Sequence, residues 1–267
     1  GDAMIKMVTA QCGGQFDQPV VVITMPNNPT GEIPPKEEVF KFLQFAEKSG
    51  VSVVADLTYY GLVYGGEAGQ QNFKEIVQAC HTHSATLLFS HSKSRSILGD
   101  RIATVVHKDA DVMRCLRDVR DIVSGRPSQL SMMAFIDSCS DESEAQRAGI
   151  VTKFEAQLMQ NREAVVGLLG EQGLSDVVTV PELQGGLYAF VKLDGKHTNG
   201  VTTEQIVKAA KQLEKESFLL LFEEDFGMTK MASGEDGFFR LSMSGPADAK
   251  RAAFAQFAQF LRQQIDE

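Results

Sequence analysis

The stretch Ser90-His91-Ser92-Lys93-Ser94-Arg95-Ser96-Ile97-Leu98-Gly99-Asp100-Arg101 holds one lysine with hydroxyls on both sides of it and an arginine at its end. A lysine amine so placed can condense with an aldehyde to a Schiff base, and serine hydroxyls with an arginine fork can hold an anion. Taken alone, the stretch also reads as an ordinary basic surface loop. Two further residues stand where chemistry is done: Asn28, inside the turn Pro26-Asn27-Asn28-Pro29-Thr30-Gly31, and Asp56, which ends an apolar run.

The elements that must position these residues follow from the apolar pattern. Residues 20–24, 51–55 and 85–89 are short apolar runs, the mark of strands buried on both faces, as in a parallel sheet. A helix is predicted between the first two, opened by Pro34-Pro35, carried by Val39, Phe40, Phe42, Leu43, Phe45 and Ala46, and stopped by Gly50. A weaker helix is predicted over 73–80, and a further strand over 102–106, so that the lysine stretch reads as a polar loop between two strands. Strand–helix–strand–helix–strand is the order of an α/β domain with right-handed crossovers. Asn28, Asp56 and Lys93 then all follow the carboxyl ends of strands, the edge at which open α/β sheets bind ligands.

The pattern changes after Val106. Val112, Met113, Leu116, Val119 and Ile122 mark a helix, residues 124–128 break it, and another helix runs to about Ser138. Residues 141–173 are spaced for one long helix. Strands are predicted at 177–180, 187–193, 218–222 and 238–243, with helices near 203–216 and 246–264, a smaller α+β arrangement. Residues 1–18 carry only a weak pattern.

Composition narrows the function. A formal net charge of −9 argues against a nucleic-acid surface, and no apolar run is long enough to span a bilayer. The first residues lack the basic and apolar regions of a signal peptide. Cys12, Cys80, Cys115 and Cys139 are scattered, without a spacing that suggests zinc. They read as reduced thiols of a cytoplasmic protein, each a small buried hydrophobe.

Four motifs in the order Asn28-Pro29-Thr30-Gly31, Asp56-Leu57-Thr58-Tyr59, Ser90-His91-Ser92-Lys93 with Gly99-Asp100-Arg101, and Phe238-Phe239-Arg240-Leu241-Ser242 together resemble the pyridoxal-phosphate (PLP) enzymes of fold type I, in particular the aspartate-aminotransferase-like class I/II aminotransferases. The resemblance covers most of residues 19–264. It implies a PLP-transferase-like large-domain sheet, mostly parallel with helices on both faces, over 1–140. A long bridging helix and a small α+β C-terminal domain are implied over 141–267.

The resemblance also implies roles. Lys93 matches the lysine that carries pyridoxal 5′-phosphate as a Schiff base and then moves the proton at Cα. Asp56 matches the carboxylate paired with the pyridinium nitrogen, which keeps the ring able to accept electrons. Asn28 and Tyr59 match the groups bonded to the ring 3′ oxygen. Ser90, Ser92 and Arg101 match the phosphate anchors. Arg240 matches the arginine that grips the substrate carboxylate; inside an apolar strand it would be costly to bury without an anionic partner. Gln184-Gly185-Gly186-Leu187-Tyr188 resembles the small-domain glycine turn facing the substrate, and reads equally well as a plain β-turn.

Only 27 residues precede Asn28, so the N-terminal portion in which the family carries a phosphate-binding turn, a stacking aromatic ring and an intersubunit tyrosine is expected to be missing. The implied substrates are an amino acid and a 2-oxo acid, and the implied assembly is a homodimer. A PLP-dependent lyase of the same fold, such as a carbon–sulfur lyase, shares the cofactor motifs. A non-catalytic sensor or interaction domain of this fold is the reading from another class. Arg126, in the break at 124–128, lies near where some relatives place an arginine for a side-chain carboxylate, and is thus a further candidate that would imply a dicarboxylic substrate.

Overall fold

A computed structural model of the chain describes residues 2–12, 19–94, 102–123, 127–198, 202, 205, 221–222 and 236–266. The described residues group into two compact units. The first holds Gly1–Asn27, Glu32–Val151 and Gln184–Gly186; the second holds Asn28–Gly31, Thr152–Leu183 and Leu187–Glu267.

The first unit is built on a four-stranded sheet in the order β1 (Val20–Thr24), β2 (Ser52–Asp56), β3 (Thr86–Ser90), β4 (Ala103–Val106). β1, β2 and β3 are parallel; β4 runs antiparallel to β3. The fold is thus mixed α/β with a mostly parallel first sheet. The crossover from β1 to β2 is α2 (Lys36–Ser49), preceded by α1 (Asp2–Cys12). Pro35 stands at the N-cap of α2, Glu37 and Glu38 lie in its first turn and Lys48 in its last, in accord with the helix dipole. Gly50 takes the left-handed conformation (φ 67°) and its N–H closes the helix on the Ala46 carbonyl.

The crossover from β2 to β3 is α3 (Gly66–Thr82), longer than the 73–80 that the sequence marks. Its first two turns are glycine-rich and polar and bury little, so they carry no apolar period. α1 was invisible to pattern for a related reason: among its described side chains only Val8 is buried outright. One face of the sheet, with Ile23, Val53, Ala55 and Leu87, packs on Val39, Phe42, Leu43 and Ala46 of α2 and on Phe73, Ile76 and Cys80 of α3. The other face of β1 differs from expectation. Val20 and Val22 are each 61% exposed, because nothing among the described residues packs on that face of β1. After β3 the chain makes one helical turn, α4 (His91–Ser94), where a loop was expected. Two helices follow β4: α5 (Ala110–Val123) and α6 (Gln129–Asp137), the latter capped by Ser128, whose hydroxyl accepts from the Ser131 N–H.

The second unit takes up the C-terminal part of α7 (Asp141–Glu171), then a second sheet in the order β5 (Val178–Thr179), β6 (Tyr188–Leu193), β8 (Gly237–Ser242), β7 (Leu221–Phe222), all of whose neighbours are antiparallel, and α8 (Ala247–Asp266). Strict alternation on β6 and β8 sends Ala189, Val191, Leu193, Phe239 and Leu241 inward. There they join Leu158, Val165 and Leu169 of α7 and Phe254, Phe257 and Leu261 of α8. The helix expected near 203–216 lies outside the described residues but for one position. No described helix is long and apolar enough to cross a membrane.

Among the cysteines, Cys80 fulfils the expectation of a buried hydrophobe, its thiol pushed up to about 11 by burial. Cys115 and Cys139 do not: both are exposed, the first on the outer side of α5 and the second in the turn that follows α6.

Phe42 is fully buried between α2, α3 and the sheet. Phe42→Ala is expected to cost about 3–5 kcal/mol of stability, read as a lowered midpoint in urea unfolding followed by circular dichroism.

Candidate active site

In the first unit, the carboxyl ends of β2 and β3 bring two of the motifs to one edge of the sheet, because the strands are parallel and in register, with Asp56 opposite Leu88. The backbone at Asp56 is held on both sides. Its carbonyl accepts from the Met25 N–H at 2.9 Å, and the next N–H, of Leu57, donates to the Leu88 carbonyl at 2.8 Å. The side chain is held too: Asp56 Oδ1 accepts from the Thr58 N–H at 3.0 Å and from the Thr58 hydroxyl at 2.6 Å. Among the described residues both bonds fall on Oδ1, which leaves Oδ2 for another donor. Asp56 is therefore at once a turn-forming aspartate and an anion with an open oxygen. Tyr59, next on the turn, is buried, and Tyr60 sets its ring edge-on to Phe89 at 5.1 Å.

β3 hands the chain to α4. The His91 N–H donates to the Ile102 carbonyl at 3.1 Å, and His91 Nε2 is 2.8 Å from the Thr104 hydroxyl. The His91 ring lies 4.5 Å from that of Phe135 on α6. Sequence reasoning passed over His91. It is buried, and it ties α4 to β4 and α6, but its packing partner lies far along the chain, so no local signal marks it. Ser92 is buried beside it, while Lys93 is half-buried. Among the described residues Lys93 Nζ has no hydrogen-bond or ion-pair partner. Ser90 ends β3, opposite Ala103. Arg101, Gly99, Asp100 and Arg126 lie outside the described residues.

In the second unit, Arg240 lies on β8 between the inward-pointing Phe239 and Leu241, and so faces the other side of the sheet. The two-residue period puts the phenylalanine in the core and leaves the guanidinium half-exposed, so the cost of burying it within the apolar strand is not incurred. Its carbon sits 4.1 Å above the centre of the Tyr188 ring, from the adjacent strand β6. One of its amino groups donates to Asn28 Oδ1 at 2.8 Å. Asn28, expected beside the cofactor, is thus also the partner of Arg240, and its Nδ2 amide remains as a donor. Asn161 on α7, fully buried, donates to the carbonyls of Met243 at 2.6 Å and Gly245 at 2.9 Å and so secures the chain just after β8.

Gln184-Gly185-Gly186 is more than a plain turn. It groups with the first unit, where Gly185 bridges Val63, the Gln184 carbonyl accepts from the Tyr64 N–H, the Gly186 N–H donates to the Leu62 carbonyl, and the Tyr64 hydroxyl donates to the Gly186 carbonyl. A side chain on Gly185 would meet Pro26 at 2.3 Å, and Gly186 is left-handed (φ 76°), so both positions require glycine.

The donor set fits pyridoxal phosphate. Among the described residues it offers an amine without an ion-pair partner, a carboxylate with one oxygen open, a tyrosine three positions further along the same turn, and serines at and just after the end of the neighbouring strand. The family profile described as "Aminotransferase class I and II" matches residues 2–257. The chain belongs to the aminotransferase class I and II family. This family of fold type I enzymes depends on pyridoxal 5′-phosphate.

Valine–pyruvate aminotransferase of Mycobacterium tuberculosis is 24% identical over 262 residues, a match covering 96% of this chain and 61% of that protein. Aspartate aminotransferase of Streptomyces avermitilis is 23% identical over 84% of this chain and 51% of its own length. Among solved structures, a Thermus thermophilus aspartate aminotransferase double mutant superposes with a TM-score of 0.69 at 20% identity, over 90% of this chain and 56% of the other. At that identity the likeness shows the fold. This chain spans less than two thirds of the length of each of these proteins.

The crowding at Gly185 generates a prediction. Gly185→Ala is expected to destabilise the protein by about 1–3 kcal/mol through overpacking against Pro26, measured as a fall in thermal midpoint.

Proposed function

We propose that the chain forms the catalytic part of a PLP-dependent aminotransferase, which moves an amino group between an amino acid and a 2-oxo acid, with Lys93 as the residue that holds the cofactor and carries the proton. The observation that carries this reading is the open Oδ2 of Asp56 on the same sheet edge as the α4 turn that bears Lys93. When bound, pyridoxal phosphate supplies an electron sink for the bonding pair released at the substrate Cα.

The chain's own residues do the rest. Asp56 would pair with the ring nitrogen through Oδ2 and favour its protonated form. Tyr59 and the Asn28 Nδ2 amide donate to the ring oxygen. Ser90, Ser92 and Arg101 bind the phosphate. Lys93 Nζ would hold the cofactor and, once freed by the substrate amine, act as the acid–base that takes up the proton from the substrate Cα. Arg240 binds the carboxylate common to all amino acids; its stacking on Tyr188 and its bond to Asn28 hold the guanidinium plane for planar recognition of that carboxylate. The division into a PLP-binding part over 1–140 and a bridging helix with a small domain over 141–267 belongs to the same proposal. So does a cytoplasmic homodimer, supported by the family resemblance and by scattered cysteines.

Borohydride reduction in the presence of pyridoxal phosphate, followed by peptide mapping, is expected to place the label on Lys93. A label on another lysine would overturn the assignment. Product analysis with and without a 2-oxo acid separates transfer from elimination: keto acid formation that requires the acceptor is the expected result.

Arg240→Ala is expected to raise KM about a hundredfold for every amino acid tested, the size of one charge-assisted bidentate contact of about 2–3 kcal/mol. The check is steady-state kinetics over small, aromatic and acidic side chains. An effect confined to one class would make Arg240 a reader of side chains.

A further inference from the structure

The hydroxyl of Thr58 has no part in the reaction just described, yet it makes the shorter of the two bonds to Asp56. Any residue but proline at this position could donate its backbone N–H to Oδ1, as the 3.0 Å bond does; the Thr58 hydroxyl adds the second bond at 2.6 Å. That length is in the range of a charge-assisted O–H···O⁻ bond. The backbone of Asp56 is already clamped between Met25 and Leu88, so what remains free is the rotation of the carboxylate about its own side-chain bonds, which is soft and broad. A single bond from the N–H leaves the plane of the carboxylate able to swing. Two donors converging on one oxygen fix it, and they fix which oxygen is left.

Resting on the reading of Asp56 as the partner of the ring nitrogen, we propose that Thr58 is a positioning residue for that contact. Its hydroxyl aims Oδ2 at the nitrogen and, by stabilising the anion, keeps the shared proton on the ring rather than on the carboxylate. The physical sense is direct. A hydrogen bond donated to the charged form of a carboxylate makes it a weaker base, and in a pair that shares one proton the weaker base gives it up. The polar hydroxyl of Thr58 thus acts on the cofactor through Asp56 without touching it.

The test uses the full-length enzyme reconstituted with pyridoxal phosphate labelled with ¹⁵N at the ring nitrogen. The ¹⁵N resonance reports ring protonation independently of turnover. Asp56→Ala serves as reference, Thr58→Val removes the hydroxyl at nearly constant shape, Thr58→Ala covers crowding by the valine methyl, and Thr58→Ser restores the hydroxyl. The expected result is that both hydroxyl-free variants move the resonance towards the unprotonated position and lower kcat by about tenfold, the size of one hydrogen bond to a charged group. KM should change less than kcat, and the serine variant should behave as the parent. A resonance that moves in Asp56→Ala but stays in place in both Thr58 variants overturns the role of Thr58 and leaves the reading of Asp56 intact. A resonance that stays in place in Asp56→Ala as well overturns both.

Discussion

The constraint on which the first unit depends is the in-register parallel pairing of β1, β2 and β3. Parallel strands all point their carboxyl ends the same way, so whatever follows each strand is delivered to one edge. The ladder does not stop at the last strand residue: the Met25 and Leu57 amides continue it on either side of Asp56. Those bonds hold the residue that ends β2 as firmly as one within the strand, and the turn that follows needs only to orient a side chain.

The second unit solves a different problem. Its antiparallel sheet buries one face against α7 and α8, and the period of two along β8 decides the place of Arg240. A guanidinium on the open face keeps part of its hydration. It is also held in one plane by an aromatic ring beneath it and an amide at its edge, an arrangement suited to planar recognition of a carboxylate. Asn161 and Gln157 on α7, both bonded to the Gly245 carbonyl, secure the exit of the same strand.

Val20 and Val22 are the counterpart of this order. A sheet whose middle strands are apolar on both faces presents an open apolar side at its edge strand, and in this chain that side is exposed.

Much of this protein was legible in the order of its residues. Short apolar runs separated by helical periods determined an α/β sheet, because only a strand buried by crossover helices tolerates such runs. Gly50 and Pro35 marked the ends of α2 through backbone geometry alone. Four motifs in register determined the family, since each is local: a strand end with two or three polar residues behind it. What tertiary structure decided are the relations between residues far apart in sequence. That Asn28 meets Arg240, that His91 is buried against Phe135, and that Gly185 is pressed on Pro26 depend on how strands pair and helices cross, which no window of sequence contains. The side chain of Asp56 lies between these cases. Its position at the end of β2 is local, but which of its oxygens remains open was settled by two hydrogen bonds from Thr58, and hydrogen-bond geometry exists only once the chain has folded.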